Sequence, residues 1–196
     1  MEKTFISAQE LLTGSFDLAE QILRSGFRPD YIVGVWRGGA PIGIAVQEAL
    51  EFCGIASDHI AIRTSSYHGI GEQDAHVRVH GLHYLIENVN ADDSLLIIDD
   101  VFDSGRSVAA IIREMQILSR LNMPKDLRVG TVYYKPTKNM TDRVPDFYCH
   151  ETDKWLVFPH ELDGLSEAEV RENKGLPEGL MQIRKEYLAT KEQLAK

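Results

Sequence analysis

The sequence has few cysteines and no long hydrophobic run. Cys53 and Cys149 are its two cysteines, and they are too far apart for a zinc-ribbon spacing or a disulfide framework. No stretch approaches the ~20 consecutive apolar residues of a membrane-spanning helix, and the first residues lack the basic and then apolar pattern of a secretion signal. A reducing compartment is the default for such a chain. We therefore expect a cytoplasmic protein without a membrane partner.

Positive charge is also scarce. The 196 residues include 21 basic and 30 acidic side chains, which gives a formal net charge of −9. Broad binding to nucleic acid or to an anionic membrane requires a basic surface, so neither is an expected partner. Any anionic ligand must be held by local features. The length fits a single domain with one core.

Short apolar or β-branched runs alternate with helical patterns along the chain. The predicted strands are residues 31–36, 59–62, 95–98, 128–134, 147–149 and 155–158. The predicted helices cover 41–52 and 107–121, and the pattern of 7–10 predicts a capped helix that runs to Gly26, with Gly14 as a candidate break. The alternation predicts an α/β fold with a mainly parallel sheet covered by helices on both faces.

The stretch 64–93 shows little regular pattern, and a loop of that length is typical of a lid. Alternating residues at 75–80 predict a short two-stranded flap within it. Four histidines fall in this stretch, namely His68, His76, His80 and His83. On a strand, His76 and His80 would lie about 13 Å apart, too far to share one ion, so zinc is disfavoured.

The most informative segment begins with the apolar run 95–98, which leads directly into Asp99 and Asp100. Residues 103–107, Asp-Ser-Gly-Arg-Ser, then open a helix, where backbone N–H groups and the helix dipole favour a phosphate group. The two carboxylates can accept hydrogen bonds from vicinal hydroxyls or bind Mg²⁺ directly or through water. The segment therefore predicts a phosphate, a sugar and a metal along one line.

This segment resembles the 5-phosphoribosyl 1-pyrophosphate (PRPP) motif of the type I phosphoribosyltransferases: an apolar strand, two acidic residues, then acid-small-Gly-x-Ser/Thr. It also fits the DDxxD box of prenyl synthases, but those proteins are all-helical, whereas this box follows a strand. Residues 33–39 resemble the family's pyrophosphate loop, which implies diphosphate contacts from Arg37 and Gly38. The resemblance implies the type I phosphoribosyltransferase fold, with a small hood and a flexible flap.

Two further segments narrow the resemblance. Ser66 and Tyr67 are similar to the flexible catalytic loop of the purine-using members. The segments 132–136 and 153–161 resemble the 6-oxopurine phosphoribosyltransferases, in which a lysine donates to the purine O6 and an aromatic residue stacks on the ring. The implied purine-binding residues are Lys135, Trp155 and Leu156. A lysine at this position disfavours adenine, because its ammonium would face the 6-amino group and both are hydrogen-bond donors. His160 stands where the short bacterial type has tryptophan, which leaves the exact purine open.

The resemblance implies a purine salvage enzyme, a pentosyltransferase of nucleotide metabolism that joins hypoxanthine, guanine or xanthine to PRPP and releases pyrophosphate. Mg²⁺ is the implied cofactor, held by Asp99 and Asp100 directly or through water. Asp103 would take the N7 proton, and closure of the loop carrying Ser66 and Tyr67 would exclude water. The implied PRPP-binding residues are Arg37, Gly38, Asp99, Asp100, Asp103, Ser104, Gly105, Arg106 and Ser107.

The implied domain spans 1–196, with a core at about 27–150 and a hood from the N-terminal segment and about 150–165. A flap at about 64–93 and a C-terminal helical extension at about 166–196 complete it, and a homodimer or higher homo-oligomer is expected. Two alternatives stay open. One is a regulatory protein of the same fold that senses PRPP or nucleotide without catalysis. The other is a phosphoribosyltransferase for a different acceptor.

Overall fold

The computed structural model describes residues 3–67 and 76–194. Its strands are β1 (Lys3–Phe5), β2 (Tyr31–Trp36), β3 (Asp58–Tyr67), β4 (His76–His80), β5 (Ser94–Phe102), β6 (Asp126–Tyr134), β7 (Phe147–Glu151) and β8 (Trp155–Val157). Its helices are α1 (Ala8–Arg24), α2 (Gly39–Phe52), α3 (His83–Asn88), α4 (Arg106–Ser119), α5 (Glu167–Asn173) and α6 (Glu178–Leu194). No helix within these described ranges is both long and apolar enough to cross a membrane.

Six strands form the main sheet, in the order β4-β3-β2-β5-β6-β7. Among the described strands of this sheet, every pairing is parallel except that of β3 with β4. Strand β5 lies inside the sheet, and its residues Leu95, Leu96, Ile97 and Ile98 are fully buried. An apolar run on consecutive positions is expected where helices cover both faces. The predicted α/β fold with a mainly parallel sheet is confirmed.

The side chains of β5 divide between two hydrophobic layers because successive strand residues point to opposite faces. Leu96 and Ile98 pack in the layer that contains helices α1 and α2. Leu95 and Ile97 pack in the layer that contains α3 and α4. The central strand is therefore held from both sides, and its carboxyl end has a fixed position.

Helix α1 continues through Gly14, so the candidate break at this residue is wrong. A Cβ atom at Gly14 would lie 2.7 Å from Val132 Cγ1, which shows that the glycine lets the helix approach strand β6 closely. That packing outweighs the cost of about 1 kcal/mol for a glycine inside a helix. The predicted N-terminus of α1 is confirmed, because Ser7 Oγ accepts a hydrogen bond from Glu10 N at 3.1 Å.

The stretch 64–93 is more regular than the sequence predicts. Strand β3 extends to Tyr67 and pairs with β4, which is the second strand of the predicted flap. Helix α3 follows, and Leu82, Leu85 and Val89 around it are buried in the core. Residues 82–89 therefore belong to the core and not to a flap. Their apolar spacing of three and four residues was the signal for a helix.

A second, two-stranded sheet lies apart from the main one. Strand β1 pairs in parallel with β8, with Lys3 opposite Trp155 and Phe5 opposite Val157. The sequence does not predict β1, because three residues are too few to show a period. This small sheet brings the first described residues beside Trp155.

Candidate functional site

A tight turn packs against strand β5 at the carboxyl end of the main sheet. Strand β2 ends at Trp36 and leads through Arg37 and Gly38 into α2, while β5 continues through Asp99 and Asp100. A Cβ atom at Gly38 would lie 1.7 Å from Asp100 Oδ2, and one at Gly39 would lie 2.3 Å from the Ile98 carbonyl oxygen. Real Cβ contacts are essentially never so short. Gly39 therefore has no room for a side chain beside the backbone of β5, and a side chain at Gly38 would force the Asp100 carboxylate or the turn to move. The Arg37–Gly38 turn is thus packed directly against the two aspartates.

Asp99 and Asp100 face different cavities because they alternate along the strand. Asp99 lines a small cavity of about 70 Å³ together with Ser104, Gly105 and Ser107. Asp100 lines a larger cavity of about 320 Å³. Asp103 lines both cavities. Asp103 therefore joins the two cavities, and the predicted line of phosphate, sugar and metal stays a prediction.

The two adjacent aspartates resist ionisation. Burial, with repulsion from Asp100 as the next cause, raises the pKa of Asp99 well above its usual value. Burial also raises the pKa of Asp100, to about 6. A bound cation would stabilise both ionised carboxylates. Mg²⁺ typically binds one or two carboxylates and completes its shell with water and substrate phosphates. This donor set fits Mg²⁺, and the described residues hold no cluster of three or more metal-ligating side chains.

The small cavity is built from the turn that opens helix α4. Gly105 has a φ of 74°, and a Cβ atom there would lie 2.6 Å from Thr141 Oγ1. Helix α4 begins at Arg106, and the preceding Gly105 has no side chain to cap it. The Arg106 N–H donates a hydrogen bond to Ser104 Oγ at 3.4 Å. The dipole of α4 and the backbone N–H groups in its first turn favour an anionic ligand beside this turn. Ser104 and Ser107 add hydroxyl groups to the same cavity.

The larger cavity contains a buried ion pair. Lys135 follows strand β6 and is only 6% exposed. Its Nζ donates a hydrogen bond to Asp103 Oδ2 at 2.9 Å. Its backbone N–H bonds to the Phe102 carbonyl oxygen at 2.9 Å, which ties the end of β6 to the end of β5. The lysine predicted from the sequence therefore lies inside the cavity, next to the aspartate predicted as the base.

An aromatic wall faces this ion pair. Trp155 and Leu156, both predicted from the sequence, line the cavity, and Trp155 remains 53% exposed. Lys138, Phe158 and Glu161 line it as well, and the sequence did not identify these three. The sequence contained one indication that these three residues line the cavity, namely that each lies within six residues of Lys135 or Trp155. The cavity therefore combines an apolar, aromatic wall with the charged side chains of Asp100, Asp103, Lys135, Lys138 and Glu161.

His160 connects the larger cavity with the aspartates. Its ring stacks on Phe158 at a centroid distance of 5.9 Å and an angle of 8°. Its Nε2 lies 3.9 Å from Asp100 Oδ2. Burial lowers the pKa of His160, and the nearby Glu161 carboxylate opposes that effect. His160 thus lies at the acidic end of β5.

Ser66 and Tyr67 lie at the end of β3, where their backbones pair with Val77 and His76 of β4. Their side chains lie outside the described part of the structure, so their catalytic role stays a prediction. Ser65 is described, and its Oγ lies 3.1 Å from His80 Nε2 across the hairpin.

Comparison with known proteins identifies the class. The model of the phosphoribosyl transferase domain family matches residues 6–164. The structure of a purine phosphoribosyltransferase from Pyrococcus horikoshii is 27% identical and has a TM-score of 0.67, covering 85% of this chain and 99% of that one. A search of curated protein sequences finds no match.

Two more distant structures support the fold. A hypothetical protein from Neisseria gonorrhoeae, solved with bound ppGpp, is 19% identical with a TM-score of 0.68 and covers 89% of this chain and 96% of its own. The xanthine-guanine-hypoxanthine phosphoribosyltransferase of Helicobacter pylori is 19% identical with a TM-score of 0.65, at 83% and 96% coverage. The chain belongs to the phosphoribosyltransferase family. It is a pentosyltransferase enzyme.

Proposed function

We propose that this enzyme transfers the phosphoribosyl group of PRPP to a 6-oxopurine base, which is hypoxanthine, guanine or xanthine. The observation that carries the proposal is the buried Lys135 ammonium inside the larger cavity, 2.9 Å from Asp103. A buried ammonium favours the binding of a base with a hydrogen-bond acceptor at C6 and disfavours adenine, whose 6-amino group is a donor. The 27% identical purine phosphoribosyltransferase from P. horikoshii supports a purine acceptor.

The larger cavity accommodates the base. Its volume of about 320 Å³ lies within the range of small-molecule sites. Trp155 would stack on the purine, an interaction of about 1 to 3 kcal/mol that tolerates different bases. Leu156 would pack beside it, and Lys135 would donate to O6.

PRPP would lie beside Asp99, Asp100 and Asp103, next to the base. The 5′-phosphate fits the small cavity at residues 104–107, and the diphosphate fits the turn at Arg37 and Gly38. Mg²⁺ would be held by Asp99 and Asp100, directly or through water, and supplies charge neutralisation to the diphosphate. The guanidinium of Arg37 adds a permanent charge near the leaving group.

Asp103 has the position of a general base. It borders both cavities, so it lies where the base and the ribose would meet. As N9 of the purine bonds to C1′ and the bond from C1′ to the diphosphate breaks, the N7 proton passes to the Asp103 carboxylate. Lys135 binds Oδ2, which leaves Oδ1 as the oxygen for the proton.

The substrate assay is the direct test. Purified protein with PRPP and Mg²⁺ is given hypoxanthine, guanine, xanthine or adenine, and nucleotide formation is followed by chromatography. We expect product from at least one 6-oxopurine and little from adenine. Activity with adenine alone contradicts the role of Lys135. PRPP binding without turnover of any base favours the regulatory alternative, and turnover of another acceptor favours the second one.

Two variants test the residues. Lys135→Met should lower kcat/KM for the preferred 6-oxopurine by about 100-fold, because the hydrogen bond to O6 is lost and Asp103 loses its partner. Lys125→Met is the matched control, since Lys125 forms an exposed ion pair with Asp92 just before strands β6 and β5, at the opposite end of the sheet from the site. Asp103→Asn should lower kcat by about 100-fold or more. Full turnover by this variant would remove the proposed base.

A further inference from the structure

The segment after β8 forms a compact turn at residues 158–161, here called the 158–161 turn. The backbone N–H of Glu161 bonds to the Phe158 carbonyl oxygen at 3.0 Å. The Glu161 carboxylate returns to accept a hydrogen bond from the Phe158 N–H at 2.8 Å. Phe158 and Glu161 both line the larger cavity. Movement of this turn would therefore change the shape of the cavity.

A lysine from the C-terminal extension holds this turn. Lys174 follows helix α5, and its Nζ donates a hydrogen bond to the Phe158 carbonyl oxygen at 2.5 Å. The same ammonium lies over the Phe5 ring, 5.6 Å from its centroid. Lys174 is partly buried, and desolvation lowers the pKa of its ammonium, while the nearby Glu161 carboxylate opposes this effect. The Lys174 ammonium thus contacts the end of β1, at Phe5, and the residue that follows β8, Phe158.

The extension is anchored near this point by a second contact. Lys3 of β1 forms an ion pair with Glu169 of α5 at 2.8 Å. Glu169 also accepts a hydrogen bond from the Ser166 N–H at the start of the same helix. Helix α5 is therefore fixed relative to β1, and Lys174 projects from its far end onto the turn. The Lys3–Glu169 ion pair thus fixes the position of the helix from which Lys174 reaches the turn.

We propose that Lys174 is a positioning residue for the acceptor base: through the Phe158 carbonyl it holds the 158–161 turn in the shape that completes the larger cavity. The proposal rests on the proposed function, because it assumes that the base occupies this cavity. It also gives the extension, which lies beyond the family match that ends at residue 164, a part in the reaction.

Steady-state kinetics of Lys174→Met test the proposal. We expect the KM for the base to rise about tenfold, as for the loss of one hydrogen bond from a charged group, while the KM for PRPP changes less than about twofold. Lys174→Arg should restore most of the affinity, since its guanidinium can donate to the same carbonyl. Lys185→Met is the matched control, because Lys185 pairs with Glu167 inside the extension at 3.3 Å.

Hydrogen–deuterium exchange provides a readout that does not need activity. The Glu161 amide should exchange faster in Lys174→Met than in the wild type and in Lys185→Met, with melting temperatures of all three compared. An unchanged base KM in Lys174→Met, or an equal rise in Lys185→Met, overturns the proposal. If the wild type converts no purine, the proposed function fails. Unchanged exchange at Glu161 then shows that Lys174 does not hold the turn.

Discussion

The carboxyl edge of the main sheet and the C-terminal extension are built in opposite ways. At the sheet edge, backbone lies so close to backbone and carboxylate that a Cβ atom at Gly38 would lie 1.7 Å from Asp100 Oδ2. In the extension, a Cβ atom at Gly179 would meet no described atom within 4 Å. The extension is instead held by side-chain contacts such as the Lys3–Glu169 ion pair.

The difference in packing determines how well each region tolerates a substitution. Close packing has low tolerance, because a misplacement of 1 Å near the reacting groups can cost about 100-fold in rate. Exposed ion pairs contribute little each, typically up to about 1 kcal/mol, and depend on salt and pH. The sheet edge therefore determines the chemistry, and the extension adjusts how well the neighbouring cavity is shaped.

The largest expected effect comes from Gly38→Ala. The new methyl group collides with the Asp100 carboxylate, so the turn or the aspartate must move, and we expect kcat/KM for PRPP to fall by about 100-fold or more. Gly179→Ala adds the same methyl group in open space of the extension and should leave kcat/KM unchanged. Similar activities for the two variants would abolish the contrast between the regions.

A smaller effect is expected for stability. Ile97→Val removes one methylene group from a fully buried side chain of β5, and the free energy of unfolding should fall by about 1 kcal/mol. Ile183→Val makes the same change on α6, where the side chain is 52% exposed, and should change it by less than about 0.5 kcal/mol. Urea denaturation measures both values. An equal loss would show that α6 buries Ile183 against something, such as a second subunit.

The smallest effect depends on pH. Hydrogen bonds from Lys3 and from Ser166 lower the pKa of Glu169 to about 2. The ionised carboxylate therefore stabilises the folded protein above its unfolded pKa of about 4.3, and that stabilisation is lost as the pH falls toward the folded value. Glu169→Gln keeps a side chain that can complete the helix cap.

The melting temperatures of the wild type and Glu169→Gln should accordingly differ most near pH 6 and converge as the pH falls from about 4 to about 2. Glu172→Gln, an exposed change on the same helix, should show a smaller difference at every pH. A difference for Glu169→Gln that stays constant across this range would contradict the role of the Lys3 ion pair.

Most of the fold follows from local sequence pattern. Strand β5 is predicted from four apolar residues in a row, and α1 from a capping box that the structure contains. Strand β1 could not be predicted, because its pairing with β8 is a long-range contact that three residues do not encode. Gly14 misleads for a similar reason: only the approach of Val132 shows why the helix tolerates it.

The sequence predicts the site only where the site residues are neighbours in the chain. Asp99, Asp100 and Asp103 are one motif, but their division between two cavities depends on the alternation and twist of the strand. The Lys135–Asp103 ion pair joins two strand ends across the sheet, and no spacing in the sequence reports a distance of that kind. Lys174 follows Phe158 by 16 residues, but a turn and helix α5 intervene, so their contact emerges only in three dimensions.

The small sheet has a consequence for how the chain folds. Lys3 pairs with Trp155, so β1 cannot pair during synthesis until strand β8 has left the ribosome. Closing so long a loop costs chain entropy before any contact compensates for it, which places this pairing late in folding. The wall that carries Trp155 is then among the last parts of the molecule to form, after the main sheet is in place.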